Sequence, residues 1–350
     1  MKTLREDAPS AVRPGDAFDE RGLNVWLRST LGTGGEASVR QFPGGFSNLT
    51  YHVEVDGREF VLRRPPPGVA IRGGHDILRE YRLLALLDGA YPAPHPVAAC
   101  DDAEVIGTPF YLMERVHGIV LRKGDGDGVD ARTAGAIDAA LADALAALHA
   151  LDPGRFGGIG RPEGYNRRQV EGWAERYAAA RTDDLPALTW AFGWLRERIP
   201  SDGAPALVHN DFKLDNAVLD AHDPSRILAV LDWEMATVGD PLLDLGTTLG
   251  YWVDASDERL RAHAFVPTDI PGSLSRRAFA EHYIAARGGR EPGDLVYAYV
   301  FGLCKIAVIA QQLYARAHSG RTTDPRFARL RDVVAAMGDA AQAAITRGEL

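Results

Sequence analysis

Tyr51, Val53 and Val55 alternate with polar neighbours, and after Asp56-Gly57 a second apolar run opens with Phe60, Val61 and Leu62. A period of two predicts strands, and Asp-Gly between two such runs predicts a tight hairpin. The prolines at 65–67 stop the second strand, since proline supplies no N–H to a ladder. In HDILREYRLLALL, Ile77, Tyr81, Leu84 and Leu87 recur at helical spacing. A third β-like run covers 108–116, after a proline-rich connection.

Beyond Gly118 the pattern turns helical. Ile137, Leu141, Leu145, Leu148 and Leu151 form one stripe, and further helices are predicted over about 167–180, 185–198, 273–287, 294–317 and 325–347. Within this part lies one β-rich interval, with short apolar runs at 206–208, 217–219 and 227–231. The expected fold class is α+β. A polar extension (1–35), rich in charge, Pro and Gly, precedes a β-rich part (36–116) with one helix and a larger helical part (117–350) with an embedded hairpin.

Composition narrows the partners. The formal charge of −9 over 350 residues is spread along the chain, so no basic face for nucleic acid is expected. The longest apolar stretch, around 297–313, is interrupted by Lys305, Gln311 and Gln312 and reads as a buried helix, with no membrane partner expected. The first residues are charged and lack a secretory apolar core, and Cys100 and Cys304 lie far apart without metal-site spacing. Two free thiols in a reducing cytoplasm are expected. KGDGDG at 123–128 lacks the third acidic ligand and the closing Glu of a calcium loop, and reads as an exposed turn.

The chemistry concentrates in LVHNDFKLDNAVLD (207–220) and ILAVLDWEMATVGDPLLDLG (227–246). One apolar run leads into His209-Asn210-Asp211, a polar loop ends at Asn216, and a later run ends at Asp232. Two strands and a loop can therefore bring Asp211, Asn216 and Asp232 to one edge. Phosphoryl transfer needs such a set: a carboxylate for the acceptor hydroxyl, and a carboxylate and an amide oxygen for Mg²⁺. The spacing H-x-D-x-x-x-x-N is that of a kinase catalytic loop. Asp240-Pro241 has the chemistry of a helix start, and Asp244 is placed to reach back to the loop's backbone.

These segments resemble the aminoglycoside phosphotransferase-like family, relatives of choline kinases. ERVHG (114–118), RPEGYNRRQVEGW (161–173), DWEMATVGDPLLDLG and YVFGLCKIAVIAQQLYAR resemble the branch also found fused to acyl-CoA dehydrogenases, here without room for a dehydrogenase domain. The likeness covers roughly 40–330. It implies a bilobal protein-kinase-like fold, with 36–116 as the nucleotide-binding lobe and 117–350 carrying the catalytic loop and acceptor site.

It also implies roles residue by residue. In FPGGFSN, Gly44, Gly45, Phe46, Ser47 and Asn48 stand where kinases place a phosphate-covering loop. In FVLRR, Arg63 takes the place of the kinase lysine that contacts phosphates, with Arg64 beside it and Glu80 as its acidic partner; an ordinary surface pair is the alternative. His75 fits the family, or simply a helix end. The backbone around Glu114 and Val116, with Met113 nearby, would hold an adenine edge. Lys213 would contact the γ-phosphate or lie solvated, and His209 would support the catalytic loop around Asp211. Asn216 and Asp232 would hold Mg²⁺, and ATP would be the phosphate donor.

The acceptor is expected to be a small molecule with a hydroxyl group. Arg161, Tyr165, Arg167, Arg168 and Gln169 form a polar cluster suited to an anionic acceptor such as a hydroxyacyl-CoA, unless Glu163, Glu171 and Glu175 neutralise it. Asp254, Asp257 and Glu258 would be the acids available to an aminoglycoside. A nucleotide-binding pseudokinase would not need Asp211, Asn216 and Asp232 together. A metal-dependent phosphohydrolase would not need Arg63 and Glu80. Nothing in the sequence fixes an oligomeric state.

Overall fold

The computed structural model describes residues 6–42, 48–66, 76–255, 257–289, 293–320, 327 and 329–350. Five strands, β1 (Ser38–Gln41), β2 (Leu49–Val55), β3 (Arg58–Arg64), β4 (Pro96–Cys100) and β5 (Phe110–Glu114), form an antiparallel sheet in the order β1-β2-β3-β5-β4. The β2–β3 turn is Asp56-Gly57, with φ of 51° and 72°. Both residues are left-handed, as a hairpin turn matched to strand twist requires. Strand β3 ends at Arg64, before the prolines. β1 and β4 carry too little alternation to be read from sequence.

Alternation on β3 decides what each lobe face carries. Val61 and Arg63 point toward the second lobe, whereas Phe60, Leu62 and Arg64 point away from it. Helix α1 (Glu20–Leu31) covers the outer face with Leu23 and Leu27, which pack with Tyr51, Val53, Phe60, Leu62 and Leu112. Asp19 caps its start and Gly32, at φ 67°, ends it. The polar stretch expected to be a mere extension thus carries a docked helix. Arg64 is spent there too. It donates to the Asp16 carbonyl at 2.7 Å and lies over the Phe18 ring, so it is no companion of Arg63.

Helix α2 (Ile77–Leu87) joins β3 to β4 and packs between the sheet and the second lobe. That lobe holds α3 (Ala131–His149), α4 (Tyr165–Ala180), α5 (Pro186–Glu197), α6 (Pro241–Tyr251), the short α7 (Glu258–Arg261), α8 (Arg276–Ala286), α9 (Leu295–His318) and α10 (Leu330–Arg347). Helix α9 runs through its middle. By length and composition it could cross a membrane, yet 78% of its most apolar window is buried inside the protein. Gly246 of α6 and Gly302 of α9 let the two backbones touch: a Cβ on Gly302 would stand 1.9 Å from the Gly246 carbonyl oxygen. Cys100 and Cys304 are free and buried.

Two small sheets complete the second lobe. β7 (Ala217–Leu219) pairs with β8 (Ile227–Val230), which is the expected hairpin. β6 (Ala206–Val208) pairs with β9 (Thr237–Gly239), a strand too short to read in advance. The two pairs bracket 209–216 and 231–236, and so place both polar loops at the boundary between the lobes.

Candidate active site

The loop after β6 is fixed from beneath by α6. Asp240 caps that helix, accepting the Leu242 N–H at 2.9 Å, with Pro241 at the first position. One turn on, Asp244 accepts the N–H groups of His209 and Asn210, both at 2.7 Å, and faces His149 Nε2 at 3.0 Å. Burial would raise its pKa, but the His149 hydrogen bond and the charges around it hold the carboxyl below the usual carboxylate value. Asn210 adopts a left-handed φ of 67°, and Lys305 donates to its carbonyl from α9.

His209 is fully buried. Its Nε2–H donates to the Leu231 carbonyl at 2.9 Å, and its Nδ1 accepts the Asp211 N–H at 3.2 Å. Burial lowers its pKa, so the ring is neutral with both nitrogens occupied. It ties the two polar loops together and does not face the cleft, which removes it from the residues that could touch a reacting group.

Asp211 is surrounded by donors. Tyr251, at the end of α6, donates to Oδ1 at 2.7 Å, while Lys213 Nζ lies 2.7 Å from Oδ2. Asn216 Nδ2 donates to the Asp211 carbonyl at 2.9 Å and to Oδ2 at 3.1 Å. The Asn216 amide is thereby oriented with its oxygen left over. Burial opposes the Lys213 charge, but Asp211 and its neighbours hold the ammonium well above its ordinary pKa.

Asp232 closes β8 with a left-handed φ of 65°. Its Oδ1 accepts from Arg63 Nη2 at 2.8 Å, and Arg63 Nη1 donates to Glu80 at 2.9 Å. Glu80 Oε1 also accepts the Trp233 N–H at 3.1 Å. Burial pushes the Glu80 carboxyl up to about 7, against the pull of Arg63. Burial also acts against the Arg63 charge, yet Glu80 and Asp232 hold its pKa well above the ordinary value. For Asp232 burial raises the pKa and the Arg63 charge and hydrogen bond lower it; the net shift is downward. Arg79, beside Glu80, reaches the carbonyls of Ile159 and Ala236, and Asn48 donates to Glu234 at 2.7 Å. Helix α2 is thus bolted to the second polar loop through adjacent residues.

Between the lobes lies a cavity of about 170 Å³. Val61 and Met113 from the sheet and Val218 and Leu231 from the second lobe form apolar walls. Glu114, Val116 and Arg115 edge one end, and Arg63, Asn216 and Asp232 the other. The Glu114 N–H is already given to the His95 carbonyl at 2.9 Å. The profile of the phosphotransferase enzyme family matches residues 38–278.

The chain belongs to that family. It is 34% identical to acyl-CoA dehydrogenase family member 11 of Gallus gallus, over 89% of this chain but only 41% of the relative's length. A solved Ralstonia eutropha structure named for the aminoglycoside phosphotransferases superposes with a TM-score of 0.80 at 30% identity, covering 95% of this chain and 99% of the other. The aminoglycoside phosphotransferase APH(4)-Ia, solved with AMP-PNP and hygromycin B, superposes with a TM-score of 0.59 at 19% identity, over 92% of this chain and 98% of its own. The fold is the bilobal, kinase-like one: a small antiparallel N-lobe and a helical C-lobe.

In this phosphotransferase-family chain the sequence-derived set divides clearly. Asp211, Lys213, Asn216, Asp232, Arg63 and Glu80 are brought together, and Glu114 and Val116 edge the same cavity. Gly44, Gly45, Phe46, Ser47 and His75 lie outside the described residues. Arg168 turns back on the carbonyls of Arg161 and Glu163, and Arg161 and Arg167 remain exposed. Asp254 and Asp257 are taken up by the buried Arg276. Tyr251, His149, Lys305, Glu234 and Arg79 were not read from sequence. Tyr251, His149 and Lys305 reach the site from helices, where a tyrosine, histidine or lysine carries no local signal of that, whereas Glu234 and Arg79 stand beside the named Asp232 and Glu80.

Proposed function

We propose that this chain is a small-molecule kinase that transfers the γ-phosphate of Mg·ATP to the hydroxyl of a small metabolite. The observation carrying this reading is the Arg63 guanidinium spanning Glu80 and Asp232, in the same cleft as an Asp211–Asn216 pair already joined by hydrogen bonds. A scaffold that only bound nucleotide would have no use for the ordered Asp211.

In this reading the adenine lies between Val61 and Leu231, with the Glu114 carbonyl and the Val116 N–H at its edge. Arg63 steadies the phosphates. The donor set suits Mg²⁺: Asn216 keeps its amide oxygen after Asp211 takes the nitrogen, and Asp232 keeps one carboxylate oxygen beyond Arg63. Among the described residues no group of three or more His, Cys, Asp or Glu could hold a metal. Two hard oxygens, completed by phosphates and water, is how Mg²⁺ is bound in such sites. When bound, the ion would draw charge off the phosphate oxygens.

Asp211 orients the acceptor hydroxyl and receives its proton as the new O–P bond forms. The bond from the γ-phosphorus to the bridging oxygen breaks, and its electron pair leaves with ADP. Lys213, held against Asp211, stands ready to offset charge on the moving phosphoryl group. Most of the rate gain comes from positioning and electrostatics.

For the acceptor we favour an anionic molecule, a hydroxyacyl-CoA first. The relative in Gallus gallus carries the dehydrogenase name, and Arg161 and Arg167 are exposed near α4, whose Tyr165 donates to Asn210 of the loop at 3.0 Å. The likeness to the Ralstonia eutropha structure favours an aminoglycoside as second reading. Against it, Asp254 and Asp257 are committed to Arg276. The test is Mg²⁺-dependent ADP release across hydroxyacyl-CoAs, aminoglycosides, choline, homoserine and sugars. Stimulation by an acyl-CoA alcohol supports the first reading, stimulation by aminoglycosides the second, and no stimulation by any member removes both.

A further inference from the structure

The segment 6–10 crosses from one lobe to the other along the mouth of the cavity. Ser10 exchanges both backbone hydrogen bonds with Gln41 of β1, each at 2.8 Å. Glu6 bridges Ile119, which in turn exchanges two hydrogen bonds of 2.8 Å with Leu219 of β7. The segment is therefore stitched to the N-lobe at one end and, through Ile119, to the C-lobe at the other.

Its side chains engage the two arginines beyond the Glu114 edge. Asp7 accepts from Arg122 through both oxygens: Nη2 donates to Oδ2, and Nε donates to Oδ1 at 3.1 Å. Glu6 lies 3.6 Å from Arg115 and 3.2 Å from His117. Burial and the Asp7 hydrogen bond act in opposite directions on Arg122, and the bond prevails to raise its pKa, with Asp215 adding to the rise. Glu6 and Asp7 line the same cavity as Val116, Asp215, Asn216 and Asp232.

A nucleotide with its base between Val61 and Leu231 and its phosphates at Arg63 and Asp232 must pass its sugar along the wall between those ends. Asp7, Arg122 and Asp215 line the same cavity. A carboxylate oxygen has two lone pairs, so Asp7 keeps acceptor capacity after pairing with Arg122, and its side chain is 27% exposed. Vicinal sugar hydroxyls are donors that carboxylates recognise.

We propose that segment 6–10 is a wall of the nucleotide site and that Asp7 recognises the hydroxyls of the nucleotide's sugar. This rests on the nucleotide reading of the cleft given above. A strap that only held the lobes together would strengthen the binding of every nucleotide alike. Sugar recognition instead sets a preference between nucleotides that differ only in their hydroxyls.

The test is calorimetric titration of Mg·ADP and Mg·2′,3′-dideoxy-ADP into the full chain, and into Asp7→Ala and the isosteric Asp7→Asn. Thermal denaturation checks that each variant folds. The expected result is that the wild type binds ADP about tenfold tighter than the dideoxy analogue, the worth of one charge-assisted hydrogen bond. In Asp7→Ala that ratio should fall toward one, with Asp7→Asn between the two. Equal binding of both ligands by the wild type, or an undiminished ratio in Asp7→Ala, overturns the role of Asp7 and leaves the nucleotide site standing. If the wild type binds neither ligand, the nucleotide reading falls and this inference with it.

Discussion

The guanidinium of Arg63 donates to the carboxylate of Asp232 at 2.8 Å, across 169 residues of sequence and across the boundary between the lobes. Its other terminal nitrogen holds Glu80 at 2.9 Å. One planar fork thus joins strand β3, helix α2 and the loop after β8. A lysine ammonium is a single point and cannot present two donors at that separation. The arginine that stands where protein kinases use lysine therefore follows from what it has to span.

Arg63→Lys should weaken Mg·ADP binding by at least about tenfold while the protein still folds, as titration calorimetry would record. Arg63→Ala should be far worse for stability. It leaves the buried Glu80 without its cation, at a cost of about 3–5 kcal/mol that thermal or urea unfolding would reveal.

Asp232 combines a charge with a left-handed backbone, φ 65°, that few non-glycine residues tolerate. Asparagine tolerates the same conformation, so Asp232→Asn separates the two demands. Turnover should fall by about a thousandfold or more, and stability by no more than about 3 kcal/mol, the upper worth of a hydrogen bond to a charged group. Asp232→Ala should be less stable than Asp232→Asn, because alanine adds backbone strain. EDTA should abolish turnover by the wild type, and Mg²⁺ should restore it.

The Tyr251 hydroxyl sits 2.7 Å from Asp211 Oδ1, while Lys213 and Asn216 take the other oxygen. On the kinase reading, Tyr251 steadies the carboxylate that is to meet the acceptor. In Tyr251→Phe, kcat should fall about tenfold, the worth of one hydrogen bond to a carboxylate, while nucleotide affinity stays within about twofold of the wild type. A parallel loss of nucleotide affinity would instead mean that Tyr251 only holds the fold.

How much of this was legible depended on how local each signal was. The Asp211 to Asn216 spacing, the Asp56-Gly57 turn and the stripe of α3 repeat over a few residues of chain; the structure has the turn where the sequence put it, and Ile137, Leu141, Leu145 and Leu148 are buried in α3, with Leu151 just past its end. Helix α1 was missed because Leu23 and Leu27 are its only fully buried apolar residues, set in a polar segment. Arg64 was grouped with Arg63 by adjacency, although strand alternation sends neighbours to opposite faces. Tyr251 and Asp7 reach the cleft through tertiary packing alone, and nothing beside them in sequence says so.

Asp138, buried in α3, accepts the Leu274 N–H at 2.8 Å. Burial pushes its carboxyl up to about 7 from 3.8, with that hydrogen bond opposing. Between those values the unfolded chain has released a proton that the folded chain keeps, so stability should decline as pH rises from about 4 to 7. In Asp138→Asn that decline should be smaller. The variant should match the wild type near pH 4 and exceed it at pH 8, as urea unfolding across that range would record. Identical pH profiles would mean that the Asp138 carboxyl is already ionised in the folded protein.

The most direct test of the kinase reading follows the phosphorus itself. With γ-labelled Mg·ATP and the acceptor that stimulates ADP release most, ³¹P spectroscopy should find the label in a phosphate monoester on that acceptor. With Asp211→Asn, which should still bind the nucleotide, the monoester should not form. Label appearing only as inorganic phosphate, at the same rate in both proteins, would contradict transfer to a hydroxyl at this site.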